Sequence, residues 1–215
     1  NTITVIPGWI FMHVHVEMKT KKGNVADRFI LNPADIAFES IRYVNVTLMS
    51  GFTTVRDLGG SGVNVSLRNA INKGWITGPR IYTAGKSIAT TGGHADPTNG
   101  YRKDLMGDPG PREGVVNGSE DAYQGVRQRY KDGSDLIKIP ATGGVLSQAK
   151  DGANAQFTEE EIKAIVTAAK DYGFKVAAHA HGAEGMKRAI RGGVSSIEHG
   201  TFMDDEGIKL MKHYG

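Results

Sequence analysis

The chain has 215 residues, a formal net charge of +3, 39% hydrophobic and 23% charged residues, and no cysteine. Such a composition fits a soluble globular protein, not a disordered or low-complexity one, and the scattered basic residues form no stripe with aromatics, so no nucleic-acid partner is expected. Without cysteine there are no disulfides, thiol nucleophiles or thiolate metal sites, and any metal must be held by nitrogen and oxygen.

No run of about 18 apolar residues and no signal peptide is visible, so no membrane partner is expected. The compartment, cytoplasmic or periplasmic, stays open. The length exceeds an ordinary single domain but falls short of the roughly 250 residues of a complete eight-stranded α/β barrel.

Asn1 to Ile6 is already strand-like, as though something precedes it. Pro7 and Gly8 signal a turn, and the apolar run from Trp9 to Glu17 reads as a fully buried first strand. His13 and His15 lie two apart on it. Strand side chains alternate, so both rings share one face within reach of one ion. A lone core histidine needs only one hydrogen-bond partner. Two side by side need two, which makes a metal pair the better reading.

Lys19 to Leu31 reads as a polar loop, with Lys19, Lys21 and Lys22 solvated. Asn32-Pro33 opens a helix with Ile36, Phe38, Ile41, Val44 and Leu48 apolar, and Gly51 ends it. Phe52 to Asp57 is a second strand, followed by a helix from Val63 to Lys73 and a third strand from Pro79 to Ala84. Gly85 to Gly118 has no sustained periodicity and holds the cluster Gly92-Gly93-His94-Ala95-Asp96. A loop this long in a compact domain is usually functional, and it reads as a lid.

Ser119 caps a third helix carrying Ala122, Val126 and Tyr130. Leu136 to Ile139 is the fourth strand, and a glycine-rich loop runs on through Gln156. Thr158 with Glu161 forms a capping box for the next helix. Phe174 to His179 is the fifth strand, Ala183 to Arg191 a helix, Val194 to His199 the sixth strand and Asp204 to His213 the last helix. Six β-then-α units imply an α/β fold with a parallel sheet and crossover helices.

In a parallel α/β barrel the chemistry sits at the carboxyl ends of the strands. His13, His15, His179, His181 and His199 all fall at or just past such ends, and His94 opens on the same face. Lys138 lies between Ile137 and Ile139, where burial favours its neutral amine. A neutral amine can add carbon dioxide to give a carbamate, an anionic oxygen donor able to bridge two metals. The other reading is a lysine that reaches out past the strand end.

Pro7-Gly8-Trp9-Ile10-Phe11-Met12-His13-Val14-His15 resembles the opening of the amidohydrolase superfamily. Gly92 to Asp96, the Lys138 strand with Ala141-Thr142-Gly143-Gly144-Val145, Ala178 to Gly182, and Ile197 to Thr201 resemble its Xaa-Pro dipeptidase and metallocarboxypeptidase branch. The resemblance implies a TIM-like (β/α) barrel, of which residues 1–215 would be a partial hydrolase domain with the first six βα units, without strands seven and eight or the small β-sandwich.

It further implies two divalent ions, zinc first. His13 and His15 would bind one, His179 and His199 the other, with the carboxylated Lys138 bridging them. A hydroxide between the ions would attack an amide carbonyl of a dipeptide or N-acyl amino acid, while His94 and His181 contact substrate or stabilise the oxyanion. The sequence departs from the family pattern at Phe11, where Asp is usual, at Pro140, where a small residue or Cys is frequent, and in having no candidate for the strand-eight aspartate that serves as general base.

Three functions are consistent with these residues. They are an amide hydrolase seen as part of a longer chain, a lactonase or phosphotriesterase on the same metal site, and a non-catalytic barrel fragment that needs its missing part. Open sheet edges call for cover, so a homo-oligomer is expected.

Overall fold

The computed structural model describes residues 4–18, 26–145 and 151–215. The lysine trio at 19–22 and residues 1–3 of the strand-like start lie outside the described residues, and residues 4–6 are not in a strand. The chain divides into two compact units, Asn1–Gly85 and Lys86–Gly215.

The first unit holds β1 (Trp9–Val14), α1 (Asp27–Ile30), α2 (Pro33–Met49), β2 (Phe52–Asp57), α3 (Val63–Asn72) and β3 (Arg80–Thr83). Its strands pair in parallel in the order β1-β2-β3. Parallel neighbours cannot be joined by a tight hairpin, which is why α2 and α3 span the two connections. Asn32 precedes Pro33 at the start of α2, and its backbone N–H donates to the Asp35 carboxylate at 2.8 Å. Gly51, with φ 94°, turns the chain into β2. Val44 of α2 and Leu67 of α3 pack on Val16, Val55 and Ile81 to make the core of this unit.

Three expectations are corrected here. β1 is not fully buried: it is the edge strand, and Trp9, Ile10, Phe11 and Met12 are 45 to 61% exposed. Apolar composition states a need for cover but does not supply the neighbour that gives it. Phe38 is likewise exposed, because the buried stripe of α2 runs through Ser40 and Val44. The supposed loop before α2 contains the four-residue helix α1.

The second unit holds α4 (Lys103–Met106), α5 (Gly118–Asp132), β4 (Ile137–Pro140), α6 (Glu159–Asp171), β5 (Val176–Ala180), α7 (Ala183–Gly192), β6 (Ser196–His199) and α8 (Asp205–Tyr214). These strands also pair in parallel, in the order β4-β5-β6. Every residue of β4 and β5 is buried, as expected for parallel strands covered on both faces. Ile137, Ile139, Val176 and Ala178 meet Ile162, Ile165 and Met186 in the core.

The Thr158–Glu161 capping box forms as expected. Ser119 is not the cap, however: the cap position is Asn117, two residues earlier, and Gly118 and Ser119 lie in the first turn of α5. Tyr130 is 55% exposed and stacks on Tyr172 at 4.3 Å instead of entering the core. α/β content and parallel pairing of the six strands agree with the expected class. Among the described residues no helix is long and apolar enough to cross a membrane.

Candidate metal centre

In the second unit, parallel pairing brings the ends of β5 and β6 side by side, with Ala180 opposite His199. His179 therefore sits at the end of β5, His181 just beyond it, and His199 at the end of β6. Their ring centroids are 4.7 to 4.9 Å apart, and one nitrogen from each lies within 4.8 Å of the other two. His199 has φ 73°. A side chain held in the left-handed region costs about 1–2 kcal/mol, and such strain concentrates at functional sites.

His179 is buried, with Nε2 2.8 Å from the Gly143 carbonyl. A carbonyl can only accept, so Nε2 carries the proton and Nδ1 keeps its lone pair for a metal. Burial pushes the His179 pKa down to about 3; the Gly143 bond opposes this, while His94, Lys138 and His199 add to it. The ring is thus neutral near pH 7, as metal ligation requires.

His94 comes from the long loop and stacks on His179 at 4.5 Å and 25°. Its backbone N–H donates to Gln156 Oε1 at 2.7 Å. Asp96 steadies the same loop by accepting the Gly92 N–H at 2.8 Å and the Thr98 N–H at 2.9 Å. Burial, then the nearby Lys138 and His181, hold His94 below the ordinary imidazole range. Its buried Nδ1 has no hydrogen-bond partner among the described residues. Lys138, on the fully buried β4, is only 5% exposed.

The first unit carries its own pair. The His13 and His15 rings are 5.3 Å apart. His15 Nδ1 is 2.9 Å from the Gly59 carbonyl, which by the same logic leaves Nε2 as its lone-pair atom. Around them, Asp57 at the end of β2 accepts from Thr83 Oγ1 at 2.7 Å, Asn64 Nδ2 at 2.6 Å and the Val16 N–H at 3.2 Å. Burial nevertheless raises the Asp57 pKa from 3.8 to about 7. Glu17 accepts from the backbone N–H groups of Ser61 and Asn64, at the start of α3, where a helix favours negative charge.

Each unit thus places its sequence-identified histidines on strand ends. His181, read from sequence as a substrate contact or oxyanion stabiliser, lies with His179 and His199 in a group whose nitrogens could hold one ion. Sequence reading passed over Thr142, Gln156 and Asp57. For Asp57 the signal was available: a carboxylate at the end of a strand that opens toward the His13–His15 turn.

The donor set fits a divalent ion. Neutral imidazole nitrogens suit zinc and related transition metals, and tetrahedral zinc accepts three such ligands. The fold and these side chains define an α/β protein with a candidate metal centre. The chain belongs to the amidohydrolase family, which it matches over residues 4–215.

Among solved structures, an Xaa-Pro dipeptidase with methionine bound in its active site is 58% identical, with a TM-score of 0.92 over 97% of this chain and 52% of that one. A prolidase complexed with N-methylphosphonate-L-proline is 37% identical, with a TM-score of 0.84 over 97% of this chain and 51% of that one. Ochratoxinase of Aspergillus niger is 37% identical over 179 residues, 78% of this chain and 37% of the enzyme. The chain therefore spans about half the length of these solved relatives, and less of the ochratoxinase.

Proposed function

We propose that the protein is a metal-dependent hydrolase of the amide bond in dipeptides or N-acyl amino acids, and that residues 1–215 supply part of its (β/α) barrel domain. The observation that carries this reading is the convergence of the His179, His181 and His199 nitrogens at the ends of adjacent parallel strands. The relatives add the substrate class, since an Xaa-Pro dipeptidase and a proline phosphonate complex are among them.

In this reading His179 and His199 hold one ion and His13 and His15 another, with Lys138 as a carbamate. The neutral Lys138 amine would add to carbon dioxide, forming an N–C bond and releasing one proton, which would turn a buried amine into an anionic donor. Bound divalent ions, zinc first, supply Lewis acidity that polarises the carbonyl and lowers the pKa of water.

The chain's own residues prepare the site. The Gly143 and Gly59 carbonyls fix the tautomers of His179 and His15. His94, whose pKa burial lowers and whose backbone N–H is held by Gln156, would hydrogen-bond a substrate oxygen. His181 Nδ1 lies 2.7 Å from Thr201 Oγ1, which limits its rotation.

The test is metal analysis of the full-length protein together with a screen of Xaa-Pro, Xaa-Arg and N-acyl amino acid substrates. Bound metal and chelator-sensitive release of the amino acid are expected. Protein that binds no divalent ion and hydrolyses none of these substrates rules the proposal out.

A further inference from the structure

Thr142 is fully buried just after β4, and its hydroxyl makes two bonds at once. It accepts the His181 backbone N–H at 3.0 Å and donates to the Gly143 carbonyl at 2.8 Å. That carbonyl is the one that receives His179 Nε2, also at 2.8 Å. A hydroxyl has one donor and a carbonyl two lone pairs, so both groups are used without conflict.

The surroundings leave this arrangement little freedom. A Cβ at Gly185 of α7 would overlap Thr142 Cγ2, and one at Gly143 would overlap the Asp151 carbonyl. The methyl of Thr142 is thus packed on the helix side and the peptide after it is confined. Ala141 N–H to the His179 carbonyl, at 2.8 Å, ties the same turn to β5.

We propose that Thr142 is a positioning residue of the metal centre: one hydroxyl sets the carbonyl that fixes the His179 tautomer and anchors the backbone that carries His181. The inference rests on reading the histidines as metal ligands, but the tautomer itself is a property of the metal-free protein. Thr142→Val keeps the shape and removes the hydroxyl. The His181 N–H then loses its acceptor and Gly143 loses one of two donors, so the carbonyl is free to turn from His179.

The experiment uses the full-length protein as wild type, Thr142→Val and Thr142→Ser. Nitrogen-15 spectra of the metal-free imidazoles, with His179 assigned by its substitution, report the tautomer. Competition with a chromophoric chelator reports zinc affinity. Wild-type His179 should carry its proton on Nε2. Thr142→Val should lose that preference and bind zinc about 10-fold to 100-fold more weakly, the range for loss of a group that orients a ligand. Thr142→Ser, which retains the hydroxyl, should restore both.

A Thr142→Val protein with unchanged tautomer and zinc affinity overturns the proposal. So does a wild type protonated on Nδ1, a result that needs no folded variant. A wild type that binds no zinc while Thr142→Val still shifts the tautomer sinks the metal reading and leaves the positioning role standing.

Discussion

The His94 ring lies over that of His179, 4.5 Å between centroids and 25° between planes, although the two residues are 85 positions apart. One is offered by a strand end and the other by a loop, and the stack sets the expected ligand beside the expected substrate contact. His179→Ala should strip metal from the protein. His94→Phe keeps a ring in the stack but removes both nitrogens, so metal content should hold while kcat falls about 10²-fold, the lower end for a positioned acid or base. Metal analysis beside steady-state kinetics decides it; loss of metal in His94→Phe would move His94 into the ligand set.

His199 combines a ligand role with a left-handed backbone, and the two can be parted. Asn tolerates that conformation at least as well as His but is a poor zinc ligand. His199→Asn should therefore leave metal-free stability within about 1 kcal/mol of wild type while weakening zinc binding. Urea unfolding and chelator competition measure the two separately. Zinc affinity equal to wild type would remove His199 from the centre.

Asp57 makes stability depend on pH in an unusual sense. Its folded pKa lies above its ordinary value, 3.8 rising to about 7, so between these values the folded form holds a proton that the unfolded form has lost. Stability should be greatest below about pH 4 as far as this group is concerned and fall as pH rises through 7, by up to about 4 kcal/mol for the full change from 3.8 to about 7. Asp57→Asn should flatten that slope. Urea midpoints of wild type and variant from pH 4 to 8 test this; parallel slopes would show that another group is responsible.

Gly182 follows His181 and precedes α7 with φ −83°, an ordinary backbone angle for any residue. The reason for glycine is space, because a Cβ there would overlap the Ala153 carbonyl. Gly182→Ala should cost about 1–3 kcal/mol, as overpacking does, and displace the segment that carries Gln156. Thermal unfolding gives the first number and the His94 imidazole resonances report the second. A variant as stable as wild type would mean that the Ala153 turn yields freely.

Much was legible from the chain itself. The order of the strands and of the longer helices, the Thr158–Glu161 box, the Asn32–Pro33 start and the histidines at strand ends all follow from local rules: side-chain alternation, capping and turn chemistry act over a few residues. The amidohydrolase resemblance was likewise carried by short ordered motifs. Burial was less legible. β1 and Phe38 are apolar yet exposed, since whether an apolar side chain is covered depends on a neighbour that periodicity does not name.

The hydrogen-bonding logic of the site was decided by tertiary structure alone. That Thr142 serves His181, that Gln156 holds His94, and that Asp57 gathers Thr83 and Val16 depend on pairs far apart in sequence. Such pairs form only when parallel strands, joined through helices, bring their carboxyl ends together. A residue's identity states which bonds it can make, but only the folded path determines which partner stands at the required distance and angle.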